Sequence, residues 1–200
     1  MYDFLRFLPE NLSDLGFKSY VFMLEKPGGC GIVIKADSPR ELRKKLRNVK
    51  RRAIVGVVGK EAVCREAVMR RRVDVILDWE DRELDYATLK LAAEKDVAIE
   101  LGLSKFLRTE GYKRMHLFEK LRKEIMVIKK FDVPFIVTTA AENQWELRTR
   151  KQVENFFKFF DAEISKARHY AERLVRRYFD DRYIMDGFEI ESFSNSVDIN

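Results

Sequence analysis

Three acidic residues stand where predicted strands give way to loops: Asp78, Glu80 and Glu100. Carboxylate oxygens are preferred ligands of Mg²⁺, and a carboxylate with a shifted pKa can act as a general base. In a parallel barrel these side chains would lie at the carboxyl-terminal face, where barrel enzymes carry their active sites. They could therefore support metal-dependent hydrolysis. The simpler interpretation is a solvated acidic loop over 78–83 and an ion pair at Glu100.

The residues that many metal hydrolases and nucleophilic enzymes use are scarce in this chain. Its two histidines, His116 and His169, both fall inside predicted helices. Its two cysteines, Cys30 and Cys64, are too few and too far apart for a zinc site or a disulfide framework. The sequence has no phosphate-binding glycine loop and no nucleophile elbow. We therefore predict no catalytic residue, no metal ligand and no cofactor bound by this chain.

Clusters of basic residues are the other feature of the sequence that could have a chemical role. The segment 40–52 holds eight cations and one acid, Glu41, which exceeds what helix capping requires. Clusters of this kind neutralise nucleic-acid phosphates, although a merely solvated basic face is the alternative. Three arginines at 70–72 end a predicted helix, where either role is open. The candidate RNA-binding residues are Arg43, Lys44, Arg47, Lys50, Arg51, Arg52, Lys113, Arg114, Lys129, Lys130, Arg148 and Arg150.

The distribution of charge favours a polyanionic partner. The chain has 39 Lys and Arg against 33 Asp and Glu, a net charge of +6. Residues 180–200 hold six acids and one base, so residues 1–179 carry +11. A small anionic substrate needs only a few placed cations, whereas a nucleic acid matches a broad excess. No aromatic pair typical of RNA-recognition domains occurs, so base-specific reading is not predicted.

Short β-prone runs alternate with segments of helical period along the whole chain. A parallel sheet with crossover helices follows from this order, and about seven units in 200 residues favour a compact TIM-like (β/α) barrel over an open doubly wound sheet. We predict one barrel domain over 1–179 and an acidic C-terminal tail over 180–200. The predicted strands cover residues 3–5, 20–24, 31–35, 53–58, 73–77, 97–101 and 133–138.

Local signals place several boundaries within this pattern. Ser38, Pro39 and Glu41 together form a helix start with an N-cap, a first-turn proline and a capping-box acid. The glycine-rich stretch 27–31 is typical of a hairpin turn. A single helix is predicted from about 150 to 178.

Nothing in the sequence predicts a membrane or export signal. No run approaches the roughly 18 apolar residues of a spanning helix, and the start of the chain carries an early acid, Asp3, and no apolar h-region of a signal peptide. With its two cysteines, the chain is expected to be cytoplasmic.

One stretch resembles a known family. The run LDYATLKLAAEKDVAIEL at 84–101, the run VPFIVTTAA at 133–141 and the run WELR at 145–148 resemble the archaeal ribonuclease P protein component 3 family. The resemblance is most specific from about 73 to 150. Arg114 and Arg148 match positions of that family, which implies RNA contact or local structural pairing for both.

The resemblance implies a TIM-like barrel that acts within a ribonucleoprotein. Ribonuclease P is an endoribonuclease that removes the 5′ leader from precursor tRNA, and its RNA subunit performs the hydrolysis with Mg²⁺. The implied partners are ribonuclease P RNA, precursor tRNA and another small protein subunit, with no membrane and no small-molecule ligand. This chain would support the RNA and would not itself be catalytic.

Two other hypotheses remain open on the sequence alone. The first is a small metal-dependent barrel hydrolase that uses Asp78, Glu80 and Glu100. The second is an interaction barrel whose basic helices bind an acidic protein.

Overall fold

The computed structural model describes residues 1–26, 28–49 and 53–190 and contains a barrel of parallel strands. Seven strands pair in sequence order to form one sheet, and every pairing is parallel. The predicted TIM-like barrel is thus confirmed. The strands are β1 (Tyr2–Leu5), β2 (Ser19–Leu24), β3 (Gly31–Lys35), β4 (Ile54–Val58), β5 (Val75–Ile76), β6 (Ala98–Gly102) and β7 (Phe135–Thr138).

Helices surround the strands because each crossover must bury an apolar face against the sheet. At the predicted start of the first helix, the Ser38 hydroxyl accepts a hydrogen bond from the Glu41 amide at 3.3 Å, which satisfies one free amide of the first turn. The helices are α1 (Pro39–Arg47), α2 (Glu61–Val68), α3 (Tyr86–Lys95), α4 (Ser104–Arg108), α5 (Gly111–Phe131), α6 (Arg150–Phe159) and α7 (Ile164–Phe179), with a 3₁₀ turn at Gln144–Glu146.

The single helix predicted over 150–178 is wrong. The helix is interrupted between α6 and α7, where Asp161 takes the left-handed conformation with φ of 66°. The break lets α6 pack a phenylalanine cluster against α5, with the Phe156 and Phe160 rings 5.3 Å apart and the Phe118 ring 5.5 Å from that of Phe160. Helical period continues through the break, so periodicity alone could not reveal it.

The hairpin predicted at the glycine-rich stretch is also wrong. Strands β2 and β3 pair in parallel with a stagger that places Met23 beside Gly31. The short connection therefore moves the chain sideways by one strand and needs no crossover helix. Glycine is required at 29 because a Cβ there would stand 2.2 Å from the carbonyl oxygen of Phe22. A Cβ on Gly31 would stand 2.1 Å from the Met23 sulfur, so that flexible side chain would have to move.

The barrel is nearly closed, and side chains bridge its seam between β1 and β7. The backbone amide and the hydroxyl of Thr139 both donate to the Asp3 carboxylate at 2.7 Å. One residue beyond β1, the Arg6 amide donates to the Ala141 carbonyl at 2.8 Å. These bonds replace the backbone ladder that would complete the barrel.

Helix α7 lies across the amino-terminal end of the barrel. Its Ala171 and Leu174 belong to the same buried cluster as Phe4 and Ile54 of the strands. The Tyr178 hydroxyl donates to the carboxylate of Asp74, just ahead of β5, at 2.8 Å. Helix α7 therefore covers this end of the barrel.

After α7, residues 180–190 include a small antiparallel hairpin, β8 (Tyr183–Met185) and β9 (Phe188–Glu189). The remainder of the predicted acidic tail, 191–200, lies outside the described residues. None of the helices in the described ranges is long and apolar enough to cross a membrane.

Candidate RNA interface and the polar centre of the barrel

A buried polar centre lies at the carboxyl ends of β5, β6 and β7. Glu100, in β6, is fully buried and its carboxylate is occupied on both oxygens. One oxygen accepts from the Thr138 hydroxyl at 2.9 Å, and the other accepts from the backbone amide of Asp78 at 2.8 Å and pairs with the Arg6 guanidinium. The ion pair expected at Glu100 is thus present, and it ties β6 to residues on three neighbouring segments.

Asp78 is held by its own set of donors. Its carboxylate accepts from the Gly102 amide at 2.8 Å and from the Lys105 ammonium at 2.8 to 2.9 Å, and it lies 3.4 Å from the Arg82 guanidinium. Burial alone would raise the pKa of Asp78, but the charges of Arg82 and Lys105 hold the pKa below its usual value. Asp78 is therefore a structural anion, and the solvated loop expected around it is wrong at this residue.

Arg82 completes the buried network. Its side chain is 2% exposed, donates to the Glu100 carbonyl at 2.6 Å and pairs with Glu124 of α5. Burial opposes its charge, but the carboxylates of Asp78 and Glu124 outweigh that effect and raise its pKa. The guanidinium thereby joins the loop after β5 to helix α5.

Glu80 lies at the rim and is also paired. Lys113 of α5 approaches one of its oxygens to 2.7 Å, and Arg108 of α4 lies 3.7 Å from the other. The acids proposed as metal ligands are thus bound by protein cations, and no group of three or more potential ligands converges among the described residues. The metal-dependent hydrolase hypothesis is not supported.

Four of the candidate RNA-binding residues follow the carboxyl ends of the strands and are held by neighbours. Lys113 pairs with Glu80, and the Arg114 guanidinium donates to the Thr109 carbonyl. Arg148 donates to two backbone carbonyls at 2.7 and 2.8 Å, and Arg150 lies 3.8 Å from Glu154. The local pairing that the resemblance implied for Arg114 and Arg148 is present, and RNA contact by either remains a prediction.

Two further candidates end α5. Lys129 pairs with Asp161, and the Lys130 ammonium stands 5.3 Å from the centre of the Tyr86 ring. Cations at a helix carboxyl terminus also stabilise that terminus electrostatically. Both lysines therefore have a local structural role.

The candidates on α1 belong to a concave surface that sequence reasoning did not identify. Arg43 and Arg47 of α1 face the arginines at 70–72 that follow α2, around a hollow of about 330 Å³ with Leu46 at its side. Lys44 lines an adjoining depression on α1. The sequence signal was present in the two basic runs, but only the pairing of α1 with α2 brings them together. Candidates Lys50, Arg51 and Arg52 lie outside the described residues.

The chain is similar to known proteins over most of its length. The family model described as RNase P subunit p30 matches residues 30–182. The chain is 88% identical over 196 residues to ribonuclease P protein component 3 of Archaeoglobus fulgidus, covering 98% of both chains. It is 30% identical over 132 residues to the protein of that name from Methanocaldococcus jannaschii, covering 63% of this chain and 57% of that protein.

The fold agrees with a solved structure. A chain in the cryo-EM structure of archaeal ribonuclease P with mature tRNA superposes with a TM-score of 0.78 at 21% identity. The superposition covers 98% of this chain and 99% of that chain, so the whole architecture is shared. The family match over residues 30–182 and the near full-length identity to the Archaeoglobus fulgidus protein show that this chain belongs to the ribonuclease P subunit p30 family.

Proposed function

We propose that this chain is a non-catalytic protein subunit of ribonuclease P. It supports the catalytic RNA in removal of the 5′ leader from precursor tRNA, and it binds both RNA and another small protein subunit. The holoenzyme is an endoribonuclease whose hydrolysis is carried out by the RNA with Mg²⁺. Its place of action is the cytoplasm.

One contrast in the structure carries this proposal. The acids at the carboxyl end of the barrel are ion-paired, whereas arginines of α1 and of the segment that follows α2 converge on an open hollow. Carboxylates already paired with protein cations are not free to bind a metal ion or act on a substrate, and converging surface cations attract phosphates. The arrangement suits a protein that positions RNA.

The relatives support the same proposal. The Archaeoglobus fulgidus protein is named as a component of ribonuclease P, and the structural neighbour belongs to a ribonuclease P that holds mature tRNA. Candidates for RNA contact besides the hollow are Lys113, Arg114, Lys129, Lys130, Arg148 and Arg150.

The test is reconstitution of cleavage. An archaeal-type ribonuclease P RNA is assembled with its other protein subunits at limiting Mg²⁺, and 5′-leader release from precursor tRNA is followed with and without this chain. We expect the chain to raise the cleavage rate and to be inactive without the RNA. The proposal fails if the folded, monodisperse chain leaves the rate unchanged.

A Glu80→Gln variant separates this function from metal-dependent hydrolysis. Glu80 lies at the rim in partly exposed ion pairs, which solvent screens and which contribute little to stability, so the variant is expected to fold. The variant should stimulate the reconstituted enzyme as the unmodified chain does. Loss of cleavage with retained assembly would instead place a catalytic carboxylate on this chain.

A further inference from the structure

The hollow between α1 and α2 is lined by five arginines. They are Arg43 and Arg47 of α1 and the three arginines at 70–72, and Leu46 is the apolar residue beside them. Among the described residues, Glu66 is the one acid within ion-pair distance of any of the five. The hollow therefore carries a concentrated positive charge that internal pairing does not neutralise.

Part of this cluster is fixed in place. Arg72 donates to the carbonyls of Leu46 and Arg47, at 3.0 and 3.5 Å, and so satisfies backbone acceptors left free at the end of α1. Glu66 lies between Arg43 and Arg70, 3.6 Å from the Arg43 guanidinium and in direct contact with that of Arg70. Three guanidinium groups are thus held by the protein itself.

Arg47 and Arg71 stand apart from these contacts. Both side chains are exposed, and neither is hydrogen-bonded or ion-paired to another described residue. Like charges crowded around one hollow repel each other, so a polyanion that entered it would bind with a favourable Coulomb energy. The two arginines are placed to supply new contacts to such a ligand.

We propose that this arginine hollow binds the phosphate backbone of RNA. The inference rests on the proposed function and names the surface of this chain that the RNA contacts. The planar guanidinium forms bidentate hydrogen bonds with phosphate oxygens, which favours arginine over lysine at such a site. Arg72 and the Glu66 pairs keep the hollow open, while Arg47 and Arg71 make the ion pairs with phosphate.

The composition of the surface favours RNA over an acidic protein. Arginine serves both RNA and protein interfaces, but a protein interface usually adds buried aromatic or aliphatic anchors at its centre. Of the large exposed apolar side chains in the described residues, Met69 alone belongs to α1, α2 or the residues adjoining them. A surface of cations with one such side chain provides phosphate contacts but few apolar contacts.

Helix α1 extends the same surface. Arg40, Arg43 and Arg47 recur at helical spacing and line a second depression that adjoins the hollow. Glu41 also lines this depression, but its carboxylate is paired with Lys45. A strand of RNA in the hollow can therefore continue along α1 and meet further cations. This continuity indicates contact with several consecutive phosphates, without base-specific reading.

The test compares two double variants of the full chain. Arg47→Gln with Arg71→Gln removes the two unpaired cations of the hollow, and Arg122→Gln with Lys123→Gln removes two exposed cations from α5. Binding of each to ribonuclease P RNA is measured against salt concentration. We expect the slope of log affinity against log salt to flatten by about 1.4 to 1.8 for the hollow variant, at about 0.7 to 0.9 per phosphate contact. The α5 variant should keep the slope of the unmodified chain.

A charge-retaining variant keeps the result interpretable. Arg47→Lys with Arg71→Lys should restore the slope while binding more weakly than the unmodified chain, because lysine lacks the bidentate geometry. Thermal unfolding of each variant checks that the fold is intact. Equal flattening by the hollow and α5 variants would overturn the proposal, because the effect would then report net charge alone.

Two further outcomes separate this proposal from the proposed function. If the unmodified chain stimulates precursor tRNA cleavage but the hollow variant binds RNA with an unchanged slope, the hollow proposal fails and the subunit function stands. If the hollow variant instead loses its partner protein while the RNA slope is unchanged, the surface is a protein interface and the proposal is overturned. Absence of stimulation by the unmodified chain would reject the subunit function, whatever the slope.

Discussion

At the level of single residues, the polar side chains of the barrel replace backbone pairing. Asp3 joins β1 to the end of β7 by accepting from the amide and the hydroxyl of Thr139, both at 2.7 Å, and it also accepts from the amide of Phe4 in its own strand at 3.0 Å. Burial nevertheless raises its pKa to about 6, because the desolvation of the carboxylate outweighs these three donors. The seam of the barrel therefore contains a group that titrates within an accessible pH range.

The raised pKa of Asp3 predicts a pH-dependent stability. The folded state binds the Asp3 proton more tightly than the unfolded state does. The contribution of Asp3 to the free energy of unfolding is therefore full below about pH 4 and is lost as the pH rises through about 6. Relative to Asp3→Asn, the chain should lose up to about 3 kcal/mol of unfolding free energy between pH 4 and 7. Urea unfolding of both proteins across this range measures the difference, and a constant difference would contradict the raised pKa.

Buried and exposed ion pairs of the same type should differ widely in energy. Lys105→Met leaves the buried Asp78 carboxylate without its closest cation. Because the Lys105 side chain is only 6% exposed, we expect the free energy of unfolding to fall by about 3 to 5 kcal/mol. Lys113→Met removes a pair whose lysine is 61% exposed, so solvent already screens the interaction and the loss should be much smaller than for Lys105→Met. Equal losses of unfolding free energy in urea would show that the polar centre is open to water.

At the level of elements, the sequence pattern predicts the strands well and the connections poorly. Strand β4 is apolar throughout, β6 is apolar except for Glu100, and the start of α1 has its own capping residues. The break between α6 and α7 has no such signal, because the helical period continues across Asp161. Packing of the phenylalanine rings against α5 decides that boundary, and this is a property of the assembled fold.

The short connection between the parallel strands β2 and β3 should tolerate only glycine at position 29. Gly29→Ala would place a Cβ 2.2 Å from the Phe22 carbonyl oxygen, so the backbone must shift, at a cost of roughly 1 to 3 kcal/mol. Cys30→Ala, in the same connection, removes only a half-buried thiol and should cost less than about 1 kcal/mol. Thermal unfolding of the pair tests this stagger, and similar melting temperatures would argue for a looser connection.

Local sequence patterns are equally limited in predicting the functional site. Each basic run is visible in the sequence, and so are the acids at 78, 80 and 100. Their roles depend on partners far along the chain, since Arg6 pairs with Glu100 across 94 positions and Arg72 reaches Leu46 across 26. Such pairings follow from barrel closure and helix packing, which local patterns do not specify.

At the level of the whole molecule, charge is divided between the barrel and its C-terminal segment. Residues 1–179 carry +11, and residues 180–200 carry a net charge of −5. The described part of that segment meets the barrel mainly through surface ion pairs of α7, such as Arg176 with Asp180 at 3.0 Å. Pairs of this kind contribute little to stability, so the barrel is expected to fold without the segment.

A chain of residues 1–179 should therefore unfold cooperatively at nearly the same temperature and bind RNA more tightly at low salt. Removal of the acidic segment takes away a repulsion that acts over a Debye length of about 30 Å at 0.01 M salt but only about 8 Å at 0.15 M. The gain in affinity should accordingly be several-fold at low salt and disappear near physiological salt. A gain that persists at high salt would mean that the segment covers RNA-binding cations directly, and loss of cooperative unfolding would make it part of the barrel domain.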